Sequence, residues 1–265
     1  MTRLTPNDLE NLLDKLHRNE EIIKRVTGKS IKKICEETFS TSHNSEFVGI
    51  IPITAGDGII GNFTASLLAI VEHFGLKGFV TENYDISGYH EAIKKKADII
   101  MMADDQMFVA HNLRNRKIAT NHECTGIVYS EIAARYVYAN SKDILVIGLG
   151  RVGFSGAAHL IKKGFNVYAC DPNSKVLDSA VQKLGVQKYE KNKNKKFSMI
   201  LEATPCEKTI SSGMIAERCL VSTPGIPCGL PEKVGRKYDV DMVMEPLYIG
   251  VVSMLYSIFE DNRNL

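Results

Sequence analysis

Apolar and polar positions along the chain follow two periods, one typical of short buried strands and one typical of amphipathic helices. Residues 47–54 form an apolar, β-branched run, and residues 61–74 follow with apolar positions at helical spacing. The same succession of strand and helix recurs at 78–96, 143–163 and 166–184. Strands that alternate with helices pair through right-handed crossover connections, so the pattern predicts parallel sheets covered by helices on both faces.

The alternation is interrupted near residue 140 and then starts again. It is preceded by a largely helical segment over 5–39. We therefore predict two α/β domains, residues 1–140 and residues 141–265. An apolar helix over 248–259 is assigned to the second domain and is expected to pack back on the junction between the domains.

Composition narrows the class of protein but names no ligand. The 265 residues are 44% hydrophobic and 24% charged, which is typical of a globular chain and excludes long disordered or collagen-like segments. Lys and Arg number 33 against 31 for Asp and Glu, a net charge of +2, so neither nucleic acid nor a membrane is predicted as a partner. The run Lys188–Lys196 holds five lysines and is interpreted as a solvated loop, with a phosphate or nucleic-acid patch as the alternative.

Targeting signals and cysteine spacing favour a cytoplasmic enzyme. The N-terminal residues lack the apolar stretch of a secretory signal, and no apolar run reaches the roughly 20 residues that span a bilayer. The six cysteines contain no C-x-x-C pair and no nearby cluster of histidines, which predicts reduced thiols and no metal site. A homodimer is expected only because symmetric dimers are common among enzymes.

The pattern G-x-G-x-x-G occurs twice, at 56–61 and at 148–153, each time between a predicted strand and a predicted helix. Glycine allows the tight turn and lets the backbone approach a pyrophosphate at a helix N-terminus. In the first copy Asp57 would repel that anion, whereas the second copy carries neutral Leu149 and positive Arg151. The second copy is therefore the predicted dinucleotide site, and Asp57 is better suited to a cationic group.

Asp171 strengthens this prediction, because it follows Gly150 by 21 residues and ends the next predicted strand. A carboxylate there accepts hydrogen bonds from the ribose hydroxyls and repels the 2′-phosphate of NADP, which predicts NAD as the cofactor and a Rossmann-type doubly wound parallel sheet. Two later predicted strand ends, 203–205 and 222–225, are expected to border the cleft for the nicotinamide ribose. Ordinary loop structure is the alternative interpretation of these two segments. The predicted cofactor-binding residues are Gly148, Leu149, Gly150, Arg151, Val152, Gly153, Asp171, Pro172, Thr204, Pro205 and Thr223.

Acidic residues also follow predicted strands, at Asp104 and Asp105 and again at Glu245. Ligands of open α/β sheets gather at the carboxyl ends of the strands. A cationic amine substrate would use such acids, because an amine with a pKa of about 10.4 must lose a proton before its carbon can give up a hydride, at a cost of roughly 4.6 kcal/mol at pH 7. Helix capping is the alternative for Asp104 and Asp105.

Several segments together make the chain resemble the PylD family of dehydrogenases, which complete pyrrolysine biosynthesis. The resemblance covers nearly the whole chain and is carried by residues 53–58, 102–105, 148–153, 170–173 and 244–248. It implies NAD-dependent oxidation of the terminal amine of 3-methyl-D-ornithyl-Nε-L-lysine, with loss of ammonia and ring closure to L-pyrrolysine.

On that resemblance, Glu245 and Asp104 are the expected catalytic acids. The expected substrate-binding residues are Leu4, Asp57, Asp104, Asp105 and Glu245. Two other functions stay open at this point. An NAD-dependent dehydrogenase of a hydroxy acid or folate-like carbon would place His or Lys near the nicotinamide, and a non-catalytic NAD-sensing module would need no convergent acids.

Overall fold

The described residues of a computed structural model, 12–42, 45–59, 61–190 and 194–260, contain nine α-helices and eleven strands. They group into two units. The first contains the described residues of Met1–His17, Cys35–Cys124 and Leu247–Leu265, and the second contains Arg18–Ile34 and Thr125–Pro246. The units differ from the predicted division after residue 140, because residues 125–140 and 18–34 group with the second sheet and the C-terminal helix groups with the first.

The first unit holds a five-stranded sheet in the order β2-β1-β3-β4-β5. Helix α3 (Phe63–His73) connects β1 to β2, and helix α4 (Asp85–Lys94) connects β2 to β3. Helix α2 (Ile31–Phe39) precedes β1. The strands are β1 (Phe47–Ile51), β2 (Lys77–Val80), β3 (Ile99–Ala103), β4 (Phe108–Asn112) and β5 (Ile118–Thr120).

The first sheet is mixed rather than parallel throughout. Strand β1 pairs in parallel with β2 and β3, but β4 is antiparallel to β3 and β5 is antiparallel to β4. The reason is the short turn at Asp104, whose N–H donates to the carbonyl of Met107 at 2.9 Å and closes a hairpin instead of a crossover. The sequence interpretation of an exclusively parallel first sheet is wrong at this edge.

The C-terminal helix α9 (Tyr248–Ile258) packs against α3, β4 and β5 of the first unit. Ten of its eleven residues are buried, so no face of the helix is open to solvent. Side chains of the same unit also cap its last carbonyls: Asn112 and Asn115 donate to the carbonyl of Ile258 at 2.9 and 2.8 Å, and Thr41 donates to that of Tyr256 at 2.6 Å. Burial and capping together explain why this helix belongs with the first sheet.

The second unit holds a six-stranded sheet whose pairings are all parallel, in the order β11-β10-β9-β6-β7-β8. This is the strand order of a doubly wound nucleotide-binding sheet, so the predicted Rossmann-type topology is confirmed. Its strands are β6 (Asp143–Ile147), β7 (Asn166–Cys170), β8 (Gln187–Lys188), β9 (Phe197–Glu202), β10 (Ile215–Thr223) and β11 (Asp241–Met244). Its later helices are α6 (Arg151–Lys162), α7 (Ser174–Leu184) and α8 (Glu232–Lys237).

Helix α1 (Leu12–Thr27) is the first described element of the chain. In the second unit, helix α5 (Asn121–Ala134) packs against α6. The two backbones approach closely, since a Cβ on Gly126 would lie 2.3 Å from the carbonyl oxygen of Val152. Buried Glu131 accepts from His159, Lys163 and Arg135 at 2.6, 2.7 and 2.8 Å. Burial alone would raise the pKa of Glu131, but these hydrogen bonds outweigh burial and lower its pKa to about 2.

Candidate functional site

The turn between β6 and α6 has the geometry expected of a nucleotide loop. Gly148 adopts φ +84°, in the left-handed region, and its N–H donates to the carbonyl of Cys170 at 2.9 Å. A Cβ on Gly148 would lie 2.6 Å from Cγ2 of Thr204 and 2.8 Å from the carbonyl oxygen of Ala203. Glycine is therefore required at this position by the protein itself.

The other two glycines of this turn differ in what requires them. A Cβ on Gly153 would lie 1.9 Å from the carbonyl oxygen of Gly148, so the start of α6 can pack on the turn only without a side chain. Gly150 is exposed, and no heavy atom of the described residues lies within 4 Å of a Cβ built there. The fold explains Gly148 and Gly153, whereas the space beside Gly150 is open for a ligand.

The N-terminus of α6 has the electrostatics of an anion site. Gly150 is the N-cap and provides no side-chain acceptor for the first amides of the helix. Those amides and the helix dipole favour a negative group, and exposed Arg151 adds positive charge at the first helical position. Leu149 is buried and Val152 is half-buried, so of the predicted residues these two serve packing through their side chains.

Asp171 lies directly after β7 and connects that strand to the glycine-rich turn. One carboxylate oxygen accepts from the N–H of Leu149 at 2.7 Å, and the other accepts from the N–H of Asn173 at 2.8 Å. An ionised carboxylate has about four acceptor positions, so two bonds to the backbone leave acceptor capacity for the hydroxyls of a ribose. Pro172 follows at an exposed position.

Thr204 and Thr223, at the ends of β9 and β10, orient their hydroxyls inward. Both donate to the carboxylate of Glu202, which is 0% exposed; the bond from Thr223 is 2.9 Å long. Their hydroxyl protons are therefore committed to Glu202, so these hydroxyls could contact a cofactor only as acceptors. Pro205 is exposed beside them. Sequence reasoning missed Glu202, although a carboxylate ending the apolar run 197–201 is an available signal.

Glu245 follows β11 and is 3% exposed. Its backbone is held by Tyr129 of α5, whose hydroxyl donates to the carbonyl of Glu245 at 2.5 Å and accepts from its N–H at 3.0 Å. Burial, and then the nearby charge of Glu245, raise the pKa of the Tyr129 hydroxyl, so Tyr129 remains a neutral donor at physiological pH. The sequence did not indicate this role for Tyr129.

The acids of the first unit stabilise loops at the carboxyl ends of its strands. Oδ1 of Asp104 accepts from the N–H groups of Gln106 and Met107 at 2.8 and 2.7 Å, so Asp104 caps the turn between β3 and β4 and not the N-terminus of a helix, which was the alternative interpretation. Asp105 accepts from the N–H of Asp57 at 2.6 Å, which brings these two predicted residues together.

Asp85, which the sequence analysis did not select, is the first residue of α4 and binds the loop that follows β1. Its carboxylate accepts from the N–H and the hydroxyl of Thr54 at 2.8 and 2.5 Å. These bonds, the hydroxyl first, lower the pKa of Asp85 and keep it ionised at neutral pH. Asp57, Asp104 and Asp105 are exposed, and Asp85 is half-buried.

Other predictions concern residues away from the glycine-rich turn and the acidic residues described above. Leu4 and residues 191–193 of the lysine-rich loop lie outside the described residues. Within the described part of the chain, His, Cys, Asp and Glu side chains form no group of three that could hold a metal ion. None of the described helices combines the length and apolar content needed to cross a membrane.

Comparison with known sequences identifies relatives over almost the whole chain. Residues 8–119 match the family described as pyrrolysine biosynthesis protein PylD, N-terminal domain. A pyrrolysine synthase of Methanosarcina acetivorans is 52% identical over 258 residues, which cover 97% of this chain and 100% of that protein.

Comparison with solved structures finds dehydrogenases of similar fold. Shikimate 5-dehydrogenase of Thermus thermophilus, in complex with NADP(H) and shikimate, has a TM-score of 0.52 at 11% identity over 83% of this chain and 96% of that chain. Quinate dehydrogenase of Corynebacterium glutamicum, in complex with NAD, has a TM-score of 0.51 at 12% identity over 83% and 95%. At these identities the similarity concerns the fold alone.

Proposed function

The chain belongs to the pyrrolysine synthase family, and from this premise we propose that it oxidises the terminal amine of 3-methyl-D-ornithyl-Nε-L-lysine with NAD. The oxidised carbon loses ammonia and closes on the α-amine to give L-pyrrolysine. The observation that carries the proposal is the 52% identity to a pyrrolysine synthase over 97% of the chain. The nucleotide-type turn of the second unit supports the oxidative step, because it supplies the elements that a dinucleotide requires.

The residues of the second unit fit a nicotinamide dinucleotide. Gly148, Gly150 and Gly153 would receive the pyrophosphate at the N-terminus of α6, and Asp171 would accept from the adenosine ribose. A 2′-phosphate would bring further negative charge against Asp171, which favours NAD over NADP. When bound, the nicotinamide accepts the hydride from the amine-bearing carbon.

The protein has to manage the proton of the substrate amine. The ammonium form has no lone pair, so it must give up a proton before a hydride can leave the neighbouring carbon. A carboxylate can bind the ammonium, accept the proton and later stabilise the positive iminium. We assign these tasks to Glu245 and Asp104, with Asp57 and Asp105 as further substrate-binding acids.

We assign proton acceptance to Glu245 rather than to Asp104. It is 3% exposed, so the water that would screen its charge from a bound ammonium is largely excluded. Tyr129 holds its backbone through two hydrogen bonds, which limits reorganisation during proton transfer. Asp104 is exposed and already accepts two backbone N–H groups with Oδ1, which suits ammonium binding better than proton transfer.

The proposal is tested by following NADH formation at 340 nm with the ornithyl-lysine dipeptide, with NAD and NADP compared at equal concentration. We expect dipeptide-dependent NADH formation, ammonia release in a 1:1 ratio to NADH, and at least a tenfold preference for NAD. If absorbance rises only with hydroxy acids, the substrate is an alcohol and the proposed amine oxidation is wrong. NADH binding without turnover of any substrate would favour a nucleotide-sensing module.

Glu245→Gln sharpens the assay, since it keeps the shape of the side chain and removes its basicity. We expect kcat to fall by a factor of 10² or more, while the Kd for NADH changes less than twofold. Glu217→Gln removes the same charge from an exposed position on β10 and is the matched control. Unchanged kcat in Glu245→Gln would remove Glu245 from the chemistry and leave the overall reaction unaffected.

A further inference from the structure

Glu202 is a completely buried carboxylate at the carboxyl end of β9. It pairs in register with Ile147, the last residue of β6, directly before the glycine-rich turn. The strand order changes direction between β6 and β9, and ligands of doubly wound sheets bind at this point. Glu202 therefore lies beneath the position where the nucleotide is proposed to bind.

The two oxygens of Glu202 are bonded to different loops. Oε1 accepts from the hydroxyl and the N–H of Thr204, the latter at 3.2 Å, and from the hydroxyl of Thr209 at 3.1 Å. Oε2 accepts from the hydroxyl of Thr223 at 2.9 Å and from the N–H of Gly229 at 3.4 Å. One carboxylate thus connects the loop 203–210 after β9 with the loop 224–229 after β10.

Glycine positions show how closely these loops pack around the carboxylate. A Cβ on Gly225 would lie 2.2 Å from the carbonyl oxygen of Thr204, and a Cβ on Gly229 would lie 1.9 Å from the hydroxyl of Thr209. Thr204 in turn packs its Cγ2 against Gly148. The contacts run from Glu202 through Thr204 to the first glycine of the nucleotide turn.

The donors that reach Glu202 within the described residues are hydroxyl and backbone N–H groups from two different loops. A carboxylate can accept from both loops at once, whereas the amide nitrogen of glutamine could not accept at all. The carboxylate is therefore suited to holding two sets of donors in fixed positions.

We propose that Glu202 is a positioning residue for the dinucleotide: it fixes loops 203–210 and 224–229 against the glycine-rich turn and so sets affinity for the cofactor. The inference rests on the proposed dinucleotide binding by the second unit. It assigns Thr204 and Thr223 to the support of the site through their hydroxyls, which is a different role from direct cofactor contact through those groups.

The test measures NADH affinity by the fluorescence of the cofactor itself, which is convenient because the chain has no tryptophan. Glu202→Gln is expected to raise the Kd for NADH and the KM for NAD at least tenfold. Glu202→Asp is expected to give values between those of wild type and those of Glu202→Gln. Glu131→Gln is the matched control, because Glu131 is also buried in the second unit but accepts from Arg135 and from His159 and Lys163 at the C-terminal end of α6, the end opposite to the glycine-rich turn. It is expected to lower thermal stability and leave the Kd for NADH within twofold.

The outcomes separate this inference from the proposed function. Wild-type protein that fails to bind NADH would overturn both. Wild-type binding with an unchanged Kd in Glu202→Gln, or an equal rise in Kd in Glu131→Gln, would overturn the inference alone. If Glu202→Gln does not fold, Thr204→Val and Thr223→Val each remove one donor and are expected to raise the Kd about threefold; unchanged Kd in both would overturn the inference.

Discussion

The two G-x-G-x-x-G segments share a pattern and differ in structure. In the second unit the pattern 148–153 leads directly into α6, whose N-cap is Gly150. In the first unit the pattern 56–61 is followed by Asn62 in the left-handed region, with φ 64°, and α3 begins only at Phe63. The same spacing of glycines therefore leads into a helix within the pattern in one unit, whereas in the other unit the helix begins only after Asn62.

The contacts of the glycines explain the difference. A Cβ on Gly148 would meet Cγ2 of Thr204 and the backbone carbonyl of Ala203, and a Cβ on Gly153 would meet the backbone carbonyl of Gly148, so this turn packs mainly against main-chain atoms. Gly56 instead faces a side chain, since a Cβ there would lie 2.0 Å from Oδ2 of Asp105, and that carboxylate also accepts from the N–H of Asp57. A loop organised by acids repels a pyrophosphate and suits a cation, so we assign opposite ligand charges to the two segments.

The largest expected effect follows from Gly153→Ala. The added Cβ would lie 1.9 Å from the backbone carbonyl of Gly148, and a backbone atom cannot move aside as a flexible side chain can. Overpacking of this kind costs about 3 kcal/mol, so we expect the thermal midpoint to fall by roughly 6 °C or more. A midpoint within about 1 °C of wild type, measured by calorimetry, would show that the turn does not constrain α6 as described.

Gly150→Ala should separate ligand binding from folding. No described heavy atom stands within 4 Å of the new Cβ, and the extended backbone at φ −62°, ψ −173° accepts any residue. The stability loss should stay below about 1 kcal/mol, the difference between glycine and alanine at an N-cap. The Kd for NADH should rise at least tenfold, and an unchanged Kd would mean that no pyrophosphate approaches Gly150.

The smallest effect is expected in the first segment, from Asp105→Ala. Loss of the exposed hydrogen bond to the N–H of Asp57 should cost about 1 kcal/mol or less. The KM for the dipeptide should rise several-fold, because we assign Asp105 to the ammonium-bearing substrate, while the Kd for NADH stays within twofold. A larger rise in the Kd for NADH than in the KM for the dipeptide would reverse the assignment of the two segments.

The sequence alone was sufficient for the nucleotide-type segment of the second unit, from β6 to Asp171. Each strand of β6, β7 and β9 is a short apolar run, and the order strand, glycines, helix, strand and Asp171 specifies local geometry over about 30 residues. Such features can be predicted from the sequence because they depend on residues that are neighbours along the chain. The predicted topology is confirmed there, and Asp171 accepts from the N–H of Leu149 in the glycine-rich turn, while its predicted contact with a ribose stays a prediction.

Only the tertiary structure decided the features that depend on contacts distant in sequence. The placement of α9 on the first sheet and the two loops held by Glu202 join segments that lie apart along the chain. The hairpin of β3 and β4 is instead local, because a short turn at Asp104 joins the two strands. The hydrogen bonds available in the folded chain determine what individual side chains contact. Asp104 caps a turn, and the hydroxyls of Thr204 and Thr223 donate to the buried carboxylate of Glu202. A buried polar group must find its partners in three dimensions, and the sequence does not state where those partners lie.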